Sequence, residues 1–99
     1  MFKMTQEEAI RIYKLANLAI KKIALSYPET PEGKLGFAVT ERAILDAYDF
    51  KERKVNGIDI SDREGALSYL NEGEMYWAEM CGVNSDYIRR VIRQVGLTL

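Results

Sequence analysis

The sequence predicts an all-α protein: a compact bundle of about five helices in a single helical domain over residues 1–99. Three observations lead there. Apolar residues recur at three- and four-residue spacing through most of the chain, the period of a helix with one buried face. A hydroxyl residue followed three positions later by glutamate, the signature of a helix start, occurs at Thr5–Glu8 and again at Ser61–Glu64. No segment gives a convincing strand. The chain divides into an N-terminal helix (5–26), middle helices (35–73) and a closing helical pair (74–96).

The first helix, TQEEAIRIYKLANLAIKKIALS, starts at the Thr5 cap and carries Ile12, Leu15, Ala16, Ala19 and Ile23 on one stripe. Lys21 and Lys22 fall in its last turns, where a cation complements the helix dipole. Leu18 and Leu25 lie off the stripe, so the apolar face is expected to be wide. Such a face either docks broadly on the core or makes a homodimer through residues 5–26. YPETPEG (27–33), with two prolines and a glycine, reads as a loop. A second helix is expected over about 35–50, with Phe37, Ile44, Leu45 and Tyr48 inward. Asn56-Gly57 is a turn signal between runs too short to establish a hairpin. Lys51, Arg53 and Lys54 cluster beside it, either as solvated surface or as phosphate contacts. The helix opened by Ser61 buries Ala66, Leu67 and Leu70, and Asn71-Glu72-Gly73 is expected to close it.

Composition removes several functional classes. There is no histidine, so the commonest general base, the usual zinc ligand and every His-dependent triad are missing. Glu72, Glu74 and Glu79 have no nucleophile or base beside them in the pattern. An enzyme, a cofactor and a metal site are not expected. The single cysteine, Cys81, cannot form an internal disulfide and suits a reducing compartment. No secretion signal or membrane-spanning run is visible, so a cytoplasmic protein without a membrane partner is the expectation. The net charge of −1 hides an uneven spread: residues 1–40 carry six bases against four acids, and residues 41–73 five against eight. That acidic middle weighs against indiscriminate nucleic-acid binding and leaves the basic residues to act locally.

The most informative stretch is WAEMCGVNSDYIRRVIRQ, residues 77–94. Ala78 is a small residue suited to close helix packing, and Gly82 four positions later supplies the positive φ of a tight turn. Val83 plugs the gap, and Asn84 caps a second helix. Trp77, Cys81, Ile88 and Val91 fill the other positions that such a unit buries, with Tyr76 and Trp77 packing toward the earlier helices. The layout over 74–95 resembles the helix-turn-helix superfamily. At ~100° per residue, Ile88, Val91, Ile92 and Val95 share one arc, and Asp86, Arg89, Arg90 and Arg93 the opposite one. Gly96 is expected to end this helix, with Leu97 and Leu99 folding back on the core.

A second resemblance covers about two-thirds of the chain. FAVTERAILDAY, REGALSYL and CGVNSDYIRRVI are similar to a family of small uncharacterised phage and prophage proteins. Asn84-Ser85 stands where many of those sequences have Asp-Pro. The resemblance implies a mobile-element context in the cytoplasm of a bacterial host and a DNA-binding role, and by position it implicates Tyr87, Arg89 and Arg90. The expected function is that of a small phage-type DNA-binding protein, in transcription regulation or DNA handling. Its second helix would enter the major groove of double-stranded DNA, with Asn84, Ser85, Asp86, Tyr87, Arg89, Arg90 and Arg93 as the contact set. Free backbone N–H groups at the start of that helix would meet phosphate. The alternative is an adaptor or inhibitor that binds a host or phage protein with the same fold.

Overall fold

A computed structural model describes residues 5–48, 54–55, 58–59 and 63–99, the two short pairs through their backbone alone. Five helices follow in chain order: α1 (Gln6–Ala24), α2 (Pro31–Tyr48), α3 (Arg63–Leu70), α4 (Tyr76–Met80) and α5 (Ser85–Gln94). Between α2 and α3 lies a minimal antiparallel ribbon, β1 (Lys54–Val55) with β2 (Ile58–Asp59), in which Lys54 pairs with Asp59 and Val55 with Ile58. The hairpin left open by the short flanking runs therefore exists, although the protein is otherwise all-α. Ser61, and with it the expected cap of α3, lies outside the described residues.

Helix α1 begins as its sequence dictates. The Thr5 hydroxyl accepts the Glu8 N–H at 3.1 Å and donates to the Glu8 carboxylate at 3.0 Å. Ala16, Ala19, Ile20 and Ile23 form its buried stripe. Leu18 and Leu25 are not part of a wider buried face, being 44% and 88% exposed on the outer side.

Helix α2 starts four residues earlier than its pattern suggests. Thr30 caps it by accepting the Gly33 N–H at 3.0 Å, and Pro31 takes the first helical position. A proline there loses nothing, because that N–H has no helical partner in any case and the ring presets φ. What reads as loop is thus half helix start.

The core gathers Ile20 and Ile23 of α1, Ile44 and Ala47 of α2, Leu70 of α3, Ala78 of α4, and Ile88, Val91 and Ile92 of α5. Two polar side chains are buried within it, Thr40 and Ser85. Thr40 donates to the Gly36 carbonyl at 3.1 Å and shares a 2.6 Å hydrogen bond with the Tyr27 hydroxyl. Burial pushes the Tyr27 hydroxyl up to about 12 against the smaller opposing pull of Thr40. At Gly36, α2 runs almost backbone to backbone on α4: a Cβ there would lie 2.9 Å from the Trp77 carbonyl oxygen and 2.5 Å from Cys81 Sγ. Any larger residue would push α4 off its seat.

The chain after α5 folds back as expected. Leu97 is buried, Leu99 packs against the core, and the Tyr48 hydroxyl donates to the Thr98 carbonyl at 2.7 Å. Among the described residues no helix is long and apolar enough to cross a membrane.

Candidate functional site: the α4–α5 pair

The turn from α4 to α5 is built from backbone geometry. Gly82 adopts φ +79°. Its N–H reaches the Glu79 carbonyl at 2.9 Å, and the Val83 N–H reaches the Ala78 carbonyl at 2.9 Å. This is a Schellman closure, in which a left-handed residue lets two successive N–H groups satisfy the last helical carbonyls. Val83 and Ala78, the residues that should touch across such a closure, are both buried. Helix α5 ends the same way: Gly96 is at φ +103°, its N–H meets the Arg93 carbonyl, and the Leu97 N–H meets the Ile92 carbonyl. The glycine-turn expectation holds at both positions.

Ser85 and Glu79 clasp the two helices together. The buried Ser85 hydroxyl accepts the Met75 N–H at 2.8 Å and donates to Glu79 Oε1 at 2.8 Å. The same carboxylate oxygen accepts the Ser85 N–H at 2.9 Å. These bonds, the backbone N–H first and the hydroxyl second, hold the Glu79 carboxyl below its ordinary value, because they favour the charged form. The Asn84 side chain caps α5 as expected, accepting from the Asp86 N–H at 2.7 Å and the Tyr87 N–H at 3.4 Å.

Two expectations for this helix are corrected by those bonds. Ser85 is not an exposed contact residue but a buried fastener, 1% exposed. Nor are the first N–H groups of α5 free to meet phosphate, since Ser85, Asp86 and Tyr87 all donate within the protein.

A third correction concerns the arginine row. Arg89 turns away from solvent, with 11% of its side chain exposed. Its guanidinium donates to the carbonyls of Leu70 at 3.2 Å, Glu72 at 2.5 Å and Gly73 at 3.0 Å, and pairs with Asp86 at 2.8 Å. Asn71 adds a side-chain bond to the Leu67 carbonyl at 2.9 Å. The last turn of α3 is closed by the Asn71 and Glu72 N–H groups as far as the Tyr69 carbonyl, and by Arg89 beyond it. Gly73 is not in the left-handed region and closes nothing. A fork of N–H donors with permanent charge suits a cluster of orphan carbonyls at the negative end of a helix.

What remains outward on α5 is Asp86, Arg90, Arg93 and Gln94, which line one open surface. Among the described residues neither Arg90 nor Arg93 is in an ion pair. Arg93 lies close enough to Tyr48 to oppose the effect of burial, which nonetheless pushes that hydroxyl up to about 12. Gln94 was missed by the reading of the sequence, which followed charge and not exposure. Tyr87 is half-buried against the core. Tyr76, expected to pack inward, is 63% exposed and stacks edge-on against the half-buried Trp77. Cys81 is half-buried too, its thiol 3.3 Å from the Glu32 carbonyl. Lys51 and Arg53 lie outside the described residues, and Lys54 is described only as strand backbone.

Comparison of this chain with models of protein families, with curated proteins and with solved structures finds no match.

Proposed function

We propose that α4, the Gly82 turn and α5 act as a helix-turn-helix that binds duplex DNA. The observation that carries this reading is the outer face of α5. Among the described residues Arg90 and Arg93 have no ion-pair partner there, Gln94 lies beside them, and the opposite face is held in the core by Ile88, Val91 and Ile92. Arginine reads guanine O6 and N7, and glutamine reads adenine N6 and N7, from a helix lying in the major groove. Asp86 supports the reading indirectly: paired to Arg89, it places less unbalanced negative charge beside phosphate. Arg89 serves as a positioning residue that fixes the end of α3 against α5, and Ser85 and Asn84 act likewise.

Two guanidinium groups make a small electrostatic footprint, so binding should be weak for any one copy and fall with salt on a shallow slope, about −2 in log–log terms. The test is a gel shift with mixed-sequence duplex at ~50 mM salt, a condition under which phosphate contacts are strong. Arg90→Ala combined with Arg93→Ala should abolish the shift and leave helicity unchanged. If the unaltered protein shifts no duplex, the reading is wrong, and protein recognition by the same face takes its place.

A further inference from the structure

The second concentration of positive charge lies on α1, and it is organised differently. No acidic residue occurs from 9 to 28, while Arg11, Lys14, Lys21 and Lys22 fall in that span. All four side chains are exposed, and among the described residues none is in an ion pair. On a helical projection at ~100° per residue, Leu18 and Leu25 lie within about 20° of each other. Lys14 and Lys21 flank them on one side and Arg11 and Lys22 on the other, all within about 50° of the leucine pair. The leucines are one heptad, or about 10 Å, apart along the axis. They are 44% and 88% exposed, and no described residue covers them. The buried stripe of α1 is on the far side, so this face has no structural task within the protein.

An apolar seam bordered on both sides by cations specifies its complement. A second copy of this face would set cations against cations, which disfavours self-pairing. A phosphate backbone would satisfy the charges but leave two leucines pressed against polar oxygens. A helix with leucines at heptad spacing and carboxylates on either side satisfies both components, because the seams pack and the flanking charges pair. We propose that the outer face of α1 docks an acidic, leucine-bearing helix of a partner protein. This goes beyond the DNA reading and uses none of its residues.

The experiment titrates the full chain at low salt into a fluorescein-labelled, alanine-based helical peptide whose leucines recur once per heptad between flanking glutamates. A control peptide carries lysine in place of glutamate. The glutamate peptide should bind and the lysine peptide should not. Leu18→Ser with Leu25→Ser, and separately Lys14→Glu with Lys21→Glu, should each weaken binding about tenfold or more, since seam and flanks act together. Both double variants should melt like the unaltered protein, because all four side chains point outward. Arg90→Ala with Arg93→Ala should bind the peptide normally, which separates this inference from the DNA reading. Absence of binding to the glutamate peptide would overturn it, as would binding indifferent to the leucine substitutions. Loss of duplex DNA instead of peptide by the lysine variants would also overturn it, and would make α1 an extension of the DNA surface.

Discussion

Helices α3 and α4 end within a dozen residues of each other and solve the same problem differently. Both must satisfy the last carbonyls of a short helix. Helix α4 does so with its own backbone, by placing Gly82 at φ +79° so that two N–H groups turn back onto Ala78 and Glu79. Helix α3 has no left-handed residue at its end: the Asn71 and Glu72 N–H groups turn back on Leu67, Ser68 and Tyr69, and the carbonyls beyond them, of Leu70, Glu72 and Gly73, take their donors from Arg89 in the middle of α5. The first solution is local and robust; the second ties the end of one helix to the rotation of another. Arg89 and Arg90 are neighbours in sequence, yet one is consumed by this task and the other is left to solvent. An arginine pair in a sequence is thus not evidence of two available charges.

The largest effect expected from disturbing the comparison is at Arg89. Arg89→Ala should destabilise the protein by about 2 kcal/mol, since it strips the donor from the partly buried Leu70 carbonyl and unpairs Asp86. Chemical denaturation measures this, and Arg89→Lys should recover less than half, because a lysine lacks the fork. The two glycines come next. Gly82→Ala should cost about 1 kcal/mol from backbone strain alone, there being nothing within 4 Å of the added Cβ. Gly73→Ala also meets nothing within 4 Å and carries no positive φ, so it should be neutral or slightly stabilising. Equal losses at the two glycines would mean that Gly73 closes α3 in the way Gly82 closes α4.

Acid sharpens the comparison further. Because hydrogen bonds from Ser85 lower the Glu79 pKa, the clasp contributes stability at neutral pH. That contribution is lost as pH falls from the ordinary carboxylate range through the lowered value. Glu79→Gln should flatten the acid limb of a melting-temperature profile. The alkaline limb belongs elsewhere. Tyr27 and Tyr48 are raised from 10.0 to about 12 by burial, so their contribution is complete below 10.0 and lost as pH climbs through about 12. The smallest effect is Arg90→Ala, which should change stability by no more than about 0.5 kcal/mol, as befits a solvent-exposed side chain.

The features legible in the sequence share a short range. Thr5 with Glu8, the run Gly82-Val83-Asn84, and Gly96 followed by Leu97 each signal a helix boundary through residues no more than a few positions apart, and each acts as read. Thr30-Pro31 is equally local but was obscured, because two prolines and a glycine in seven residues imitate a loop. Beyond that range the pattern is silent. The contact of Gly36 with Trp77 and Cys81, and that of Arg89 with Leu70 and Gly73, join residues 16 or more positions apart. The projection places Arg89 nearer the rim of the exposed arc than Arg90, but spacing within α5 does not say that a neighbouring helix ends against that rim and makes it interior. The same reasoning misplaced Leu18 and Leu25: periodicity shows that they leave the main stripe, but not that the fold stops short of covering them. The two-residue strands are too brief to carry any period at all.

The Ser85–Glu79 clasp has a mechanical consequence. One carboxylate and one hydroxyl pin the start of α4, its last full turn and the first residue of α5 to a single point, so the elbow has little freedom to flex. A partner reaching Arg90 and Arg93 meets a stiff ridge that needs no rearrangement, and the ordering entropy of that ridge has already been met during folding. On the DNA reading proposed above, any adjustment of shape on binding would fall to the duplex.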